Sequence, residues 1–266
     1  MTRRLSTVFA SAMCLTLLLT GCGAGTKTSV PANSKPAVGQ GIAARGGGSY
    51  LNQPIPSNVL NLSLFDAQGQ KFTLASLKGQ TVVITNFLTS CQEICPMTSA
   101  NMRDIGDAVA KAGASSKIKV VEVSVDAQRD NPARLAAYQA LYQDTNWTLA
   151  SGTRADLNTF WTYFGAPATR SIFSKSESAK APLDWQTGKP VTYDMSHADL
   201  VLIVDDQLNW RWLDLGAPNI GKASIPAKLK SFLSADGLNN LAKPEEPTWT
   251  IAAVFSALTD ITGVKF

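Results

Sequence analysis

Two thiols lie four positions apart in TNFLTSCQEICPM, residues 85–97: Cys91 and Cys95, with Pro96 directly after the second. That spacing brings both sulfurs to one side of a tight loop, where they can close a disulfide or take one metal ion between them. Proline suits the first helical position and drives the residue before it out of helical conformation, so a helix is expected to start at Pro96 with Cys95 near its cap. A thiol there meets unpaired backbone N–H groups and the positive end of the helix dipole, which favour thiolate, the form that attacks disulfides and binds metals. A purely structural bridge explains the pair poorly, because closing so short a loop removes little chain entropy. Structural zinc wants four protein ligands, and beyond these two cysteines the chain has one histidine, His197.

His197 lies in YDMSHADLVLIV, directly before a compact apolar run. The elements around it suggest how it could reach the thiols. TVVITNFL and IKVVEVSVD read as buried parallel strands, and Trp147 to Ala150 as a third. Between them run helices marked by Met102, Ile105 and Val109, by Asn131-Pro132, and by the Thr153/Asp156 capping box. LVLIV and WRWLDL flank the turn DDQLN as an antiparallel hairpin, and a helix around 226–233 follows. NLSLFDAQGQKFTLASLKG adds an N-terminal hairpin turning at Gly69. The order describes an α/β, thioredoxin-like fold: a central mixed sheet flanked by helices, with an N-terminal hairpin extension. In such a sheet the segment entering the LVLIV strand lies at the same edge as the loop after the first strand. Two thiolates and an imidazole would then converge, a soft set that suits Cu(I) and can also hold Cu(II). Met97 and Met195 are nearby but read as core or surface residues, and Asp126 as a residue that orders its loop.

The start of the chain reads as an export signal: Arg3 and Arg4, an apolar run from Val8 to Leu19, then Leu19-Thr20-Gly21-Cys22. The cut site resembles a bacterial lipobox, in which Cys22 would be acylated; twin-arginine export and an ordinary secretory signal are the alternatives. Residues 1–21 are therefore expected to be a lipoprotein signal peptide, 22–50 a Gly/Ala/Ser/Pro-rich linker, 51–237 the domain and 238–266 a C-terminal tail. The tail is apolar but too short to span a bilayer, and suits a helix docked on the domain or a membrane or partner contact. Region 166–191, with Pro167, Pro182 and Pro190, has no clear period and reads as a long surface loop. With Cys14 leaving in the signal and Cys22 carrying lipid, Cys91 and Cys95 are the thiols of the mature domain. The formal charge of +4 falls by the two signal arginines, which points away from a nucleic-acid partner.

The pieces FLTSCQEICP, VSVDAQRDNPARLAAY and MSHADLVLIVDDQ, in that order, resemble the SCO/SenC copper chaperones over about residues 52–233. The resemblance implies copper held by Cys91, Cys95 and His197, and delivery of copper to the binuclear copper site of cytochrome c oxidase, or reduction of its thiols. It implies as partners the copper-site subunit of that oxidase and other copper chaperones or thioredoxin-like reductases. It also implies a membrane-anchored protein with its domain outside the cytoplasm, which agrees with the lipobox and with a lipid anchor at the outer face of the cell membrane. Two positions depart from the family pattern: Gln92 stands where proline is usual, and Ser196 stands where an aspartate usually precedes the histidine, with acids instead at Asp194 and Asp199. The alternative is a thiol-disulfide oxidoreductase or peroxide-scavenging protein using Cys91 and Cys95 as a redox pair without metal. Such a reductase normally carries CxxC and a proline before the strand that here follows His197, and this chain has neither.

Overall fold

The computed structural model describes residues 42–266 except 144, 145 and 222; the expected signal peptide, Cys22 and most of the expected linker lie outside the described residues. In chain order the strands are β1 (Ile42–Ala43), β2 (Ser49–Pro54), β3 (Leu64–Asp66), β4 (Lys71–Phe72), β5 (Thr81–Phe87), β6 (Ile118–Ser124), β7 (Thr148–Gly152), β8 (Thr169–Ile172), β9 (Tyr193–Ser196), β10 (Leu200–Val204), β11 (Asn209–Leu215), β12 (Ala217–Asn219) and β13 (Thr248–Thr250). The helices are α1 (Ser57–Leu60), α2 (Cys95–Lys111), α3 (Pro132–Tyr142), α4 (Arg154–Tyr163), α5 (Lys175–Ser178), α6 (Ala227–Lys230), α7 (Ala235–Ala242) and α8 (Ile251–Thr262).

Among the described residues one nine-stranded sheet runs β1-β2-β11-β10-β5-β6-β7-β3-β4. β5, β6 and β7 are parallel, joined through α2 and α3, while β10 and β11 form an antiparallel hairpin beside β5. This is the thioredoxin-like arrangement of a mixed sheet flanked by helices, with the β3–β4 hairpin added at the β7 edge. Every residue of β5 is buried, the polar Thr81, Thr85 and Asn86 included, as a central strand covered on both faces requires. β1 lies within the segment expected as linker and pairs with β2, which pairs in turn with β11. Gly48, at φ +69°, turns the chain there over Trp212, whose ring atoms would stand 2.7 Å from any side chain at that position.

The helix starts follow local chemistry. Asn131 caps α3 by accepting the Arg134 amide at 3.0 Å, and Thr153 caps α4 by accepting the Asp156 amide at 3.1 Å. α2 begins at Cys95, one residue before the expected start, with Ile94 as its cap and Pro96 inside the first turn.

Region 166–191 is not a plain surface loop. β8 pairs with β9, α5 carries a full capping box at Ser174 and Glu177, and Trp185 is buried with its indole N–H donating to Thr89 O at 2.7 Å. The helix expected near 226–233 is the single turn α6. The tail docks on the domain: β13 pairs with β12, Trp249 is buried, and α8 buries Ala253, Val254, Ala257 and Leu258. Among the described residues no helix is long and apolar enough to cross a membrane.

Candidate functional site

Cys91 lies in the loop after β5, half-buried, and Cys95 opens α2, buried; both are free thiols. The Cys95 amide donates to Cys91 Sγ at 3.3 Å. The hydrogen bond from the Cys95 thiol, helped by the backbone amides of Cys95, Glu93 and Ile94, outweighs burial and lowers the pKa of Cys91 below the ordinary thiol value. Cys95 moves the other way: burial first, then its bond to Cys91, holds it well above the ordinary value. Cys91 is therefore the more acidic of the two thiols, its sulfur lying over the helix start. Cys95, the residue expected to profit from the helix N-terminus, is instead the protonated donor, because its side chain points into the core.

His197 follows β9, and its side chain is 6% exposed. Its Nδ1 lies 3.2 Å from Ala198 O and 3.4 Å from Asp199 Oδ1. Asn86, at the end of β5, approaches Nδ1 at 3.1 Å and donates its amide to Ala198 O at 2.6 Å, bracing the turn. The Asn86 amide can donate to an unprotonated Nδ1 and the two oxygens can accept from a protonated one, so which of these partners is satisfied follows the tautomer. Burial, offset in part by His197 and reinforced by the like charge of Glu93, raises Asp199 to about 6. Asp199 thus stands where an acid preceding the histidine was missed: two residues after it, on the imidazole's other side.

Cys91, His197, Asp199, Glu93, Asp194 and Met195 line one cavity of about 470 Å³. The structure brings Cys91 and His197 to this cavity and sets Cys95 beneath Cys91. It does not draw the three to ligating distance: among the described residues no group of three or more His, Cys, Asp or Glu is close enough to hold a metal ion. The His197 ring is held at Nδ1 by Asn86, Ala198 and Asp199.

Two buried networks hold the walls. Asp126 accepts from the amides of Gln128 and Arg129, ion-pairs with the Arg129 side chain and accepts the Tyr193 hydroxyl at 2.8 Å. Arg129 and Arg170 lie on the Tyr193 ring at 3.9 and 4.0 Å from its centroid, so this loop fixes β9 and the approach to His197. Asp126 is indeed an ordering residue, acting also on the strand before the histidine. Behind the cysteine loop, Asp130 accepts from Thr89 and Ser124, and Arg134 reaches Asp184 at 2.5 Å and Ser90 at 2.8 Å. Burial lifts Asp130 to about 6, with Asp126 adding to the rise. Asp184, though partly desolvated, is held at about 2 by Arg134 and Thr187. Arg134 therefore spends its charge on Asp184, which ties the 166–191 region to the thiol loop. Asp130 and Arg134 were visible as a charged pair four apart; Asp184 carried no sequence signal. Met97 is core, and Met195 is a half-buried wall residue.

Residues 58–234, well over half of the chain, match the SCO1/SenC family. The chain belongs to the SCO1/SenC family. Among curated SCO1/SenC relatives, a SCO1 protein homologue of Bacillus subtilis is 27% identical over 108 residues, covering 40% of this chain and 55% of that one. A protein of Stutzerimonas stutzeri, named as a candidate copper-binding protein, is 30% identical over 95 residues, covering 36% and 46%. The chain thus spans about half the length of these curated relatives. A copper-bound structure of ScoI from Bradyrhizobium japonicum is 23% identical, with 70% of this chain and 99% of that one covered and a TM-score of 0.46.

Proposed function

We propose that this SCO1/SenC protein is a lipid-anchored copper chaperone on the outer face of the cell membrane. Copper would be its cargo, held by Cys91, Cys95 and His197 and passed by ligand exchange to the binuclear copper site of cytochrome c oxidase. The observation that carries this reading is that the acidic thiol of Cys91 and the imidazole of His197 stand on the wall of one cavity, with the Cys95 thiol beside Cys91. Two soft sulfurs and one nitrogen suit Cu(I); the acid behind the imidazole strengthens it as a ligand for Cu(II). The copper named for the Stutzerimonas relative accords with this. The Leu19–Cys22 pattern supports the anchor, and the expected boundaries at 21, 50 and 237 belong to the same proposal.

Titration of the reduced protein with Cu(I) and Cu(II), wild type against His197→Ala, tests the site. One copper per chain is expected, with Cu(II) affinity falling at least tenfold in the variant and Cu(I) largely kept by the thiols. Equal Cu(II) affinity in both removes His197 from the site. One observation favours a second reading, thiol-disulfide exchange without metal: an outer thiolate above a buried thiol is the asymmetry of an attacking and a resolving cysteine. Reduction of a partner disulfide by metal-free protein at rates matching dedicated reductases would favour it.

A further inference from the structure

β8 and β9 make a two-stranded sheet of their own, apart from the nine-stranded one. In an antiparallel pair every second residue turns its N–H and C=O away from the partner strand. Phe173, one residue past β8, donates its amide to Thr192 O at 3.2 Å, and the register sets Ile172 opposite Tyr193 and Arg170 opposite Met195. Counting back by twos from the bonded Phe173–Thr192 pair turns Ser171 and Thr169 toward β9 and puts the backbone groups of Arg170 and Ile172 on the outer edge. On β9 the outward groups are engaged: Tyr193 O accepts from Arg129 Nη1 at 3.1 Å, and the Met195 amide donates to Asp194 Oδ1 at 2.8 Å. Among the described residues no hydrogen bond meets the outward groups of β8, whose four residues are all exposed.

The side chains on this edge say what would cover it. Ile172 is 73% exposed and stands two residues from Arg170, on the same face of the strand. Arg170 lies on the Tyr193 ring and lines, with Arg154, a cavity of about 130 Å³. Arg129 on the same ring pairs with Asp126, whereas Arg170 has no carboxylate at ion-pairing distance among the described residues. Free edges are commonly blunted by lysine, proline or a covering element; this one offers an apolar side chain and an unpaired cation instead. It also leads to the site, because Phe173 and Asp194 line the cavity that holds Cys91 and His197. We propose that β8 is a docking edge: an extended segment of the protein that exchanges copper or thiols with this one adds to it as a third strand. Its backbone pairs with Arg170 and Ile172, an apolar side chain covers Ile172 and a carboxylate meets Arg170. The inference rests on the proposed exchange function for who the partner is, and on the edge itself for how the partner binds.

The test uses the full chain, isotope-labelled, reduced and freed of metal by a chelator, so that its failure leaves the copper reading to the His197→Ala titration. The probe is an acetylated and amidated peptide, Thr-Thr-Val-Thr-Glu-Thr-Thr, whose valine and glutamate stand opposite Ile172 and Arg170 when it pairs antiparallel with β8. In NMR titrations the Arg170 and Ile172 amides should shift and, at saturation, exchange with solvent about tenfold more slowly, while Ser171, turned to β9, moves less. Ile172→Pro removes an outward N–H and an apolar contact but no bond to β9, and should bind the peptide about tenfold more weakly. Arg170→Gln should weaken binding about threefold and erase the preference for this peptide over one with glutamine in place of glutamate. That variant carries the test if Ile172→Pro does not fold. Absence of binding, equal binding by wild type and variants, or shifts confined to other parts of the surface overturns the proposal. Shifts of Arg170 and Ile172 that follow protein concentration without peptide also overturn it, because the occupant is then a second copy of this chain.

Discussion

Glu122 is the strongest lever on stability that the structure offers. It sits in the middle of β6, fully buried, with Oε2 accepting the Ser99 hydroxyl at 2.8 Å and Oε1 without a hydrogen-bond partner. Burial pushes this carboxyl up to about 8, against the opposing pull of Ser99 and of the Trp147 indole. In the unfolded chain the same group titrates near about 4.3. The folded protein therefore binds the extra proton throughout the window between those two values, so stability is full below about pH 4.3 and falls as pH rises toward 8. At about 1.4 kcal/mol per unit, the loss between pH 5 and pH 8 is on the order of 3 kcal/mol. Glu122→Gln keeps the shape and a hydrogen-bonding partner for Ser99 but cannot titrate. Urea unfolding followed by circular dichroism at pH 5, 6, 7 and 8 reads the difference between variant and wild type, in which other titrating groups such as Asp130 cancel. The variant should be near wild type at pH 5 and more stable by roughly 3 kcal/mol at pH 8. Two parallel stability curves across that range would refute the reasoning and mean that Glu122 is charged in the folded protein.

Other outcomes follow from the same geometry. Arg134→Met leaves Asp184 and Asp130 without their buried cation and should cost about 3 kcal/mol or more in urea unfolding. Asp199→Asn weakens the carboxylate beside His197 Nδ1 and should lower Cu(II) affinity about tenfold or more in competition titrations while sparing Cu(I). Iodoacetamide at pH 7 should modify Cys91 in Cys95→Ser faster than Cys95 in Cys91→Ser, by peptide mass mapping, because the outer sulfur is the acidic one. Asn131→Ala removes the cap of α3 and should cost about 1 kcal/mol.

The parts of this fold that could be read from sequence are those whose cause is local. β5 and β6 are rich in Val, Ile and Thr, Asn131 and Thr153 sit where a helix needs an acceptor, and the β10–β11 hairpin announces itself by its turn. Cys91, Cys95 and His197 stood out because reactive side chains are few. What could not be read is what these groups touch. Nothing near residue 91 says that Asp184 answers Arg134 across 50 residues, or that Trp185 reaches Thr89 across 96. Region 166–191 looked structureless because its order comes from those distant partners and not from any period of its own.

The thiol assignment carries the point furthest. From spacing and Pro96 alone, the dipole argument attaches to Cys95, the residue nearest the helix start. Side-chain direction reverses it: Cys95 turns into the core while Cys91 lies over the amides. Departures from the family pattern behave the same way. Ser196 brings no acid, yet the imidazole has one in Asp199; Gln92 is no proline, yet its loop is held by Ser234 and Phe232, some 140 residues on. A proline at 92 would stiffen the loop from within its own backbone, whereas this chain stiffens it from the C-terminal segment. The thiol loop is thereby tied to the docking of that segment, a cause of order that no residue between 91 and 95 reveals.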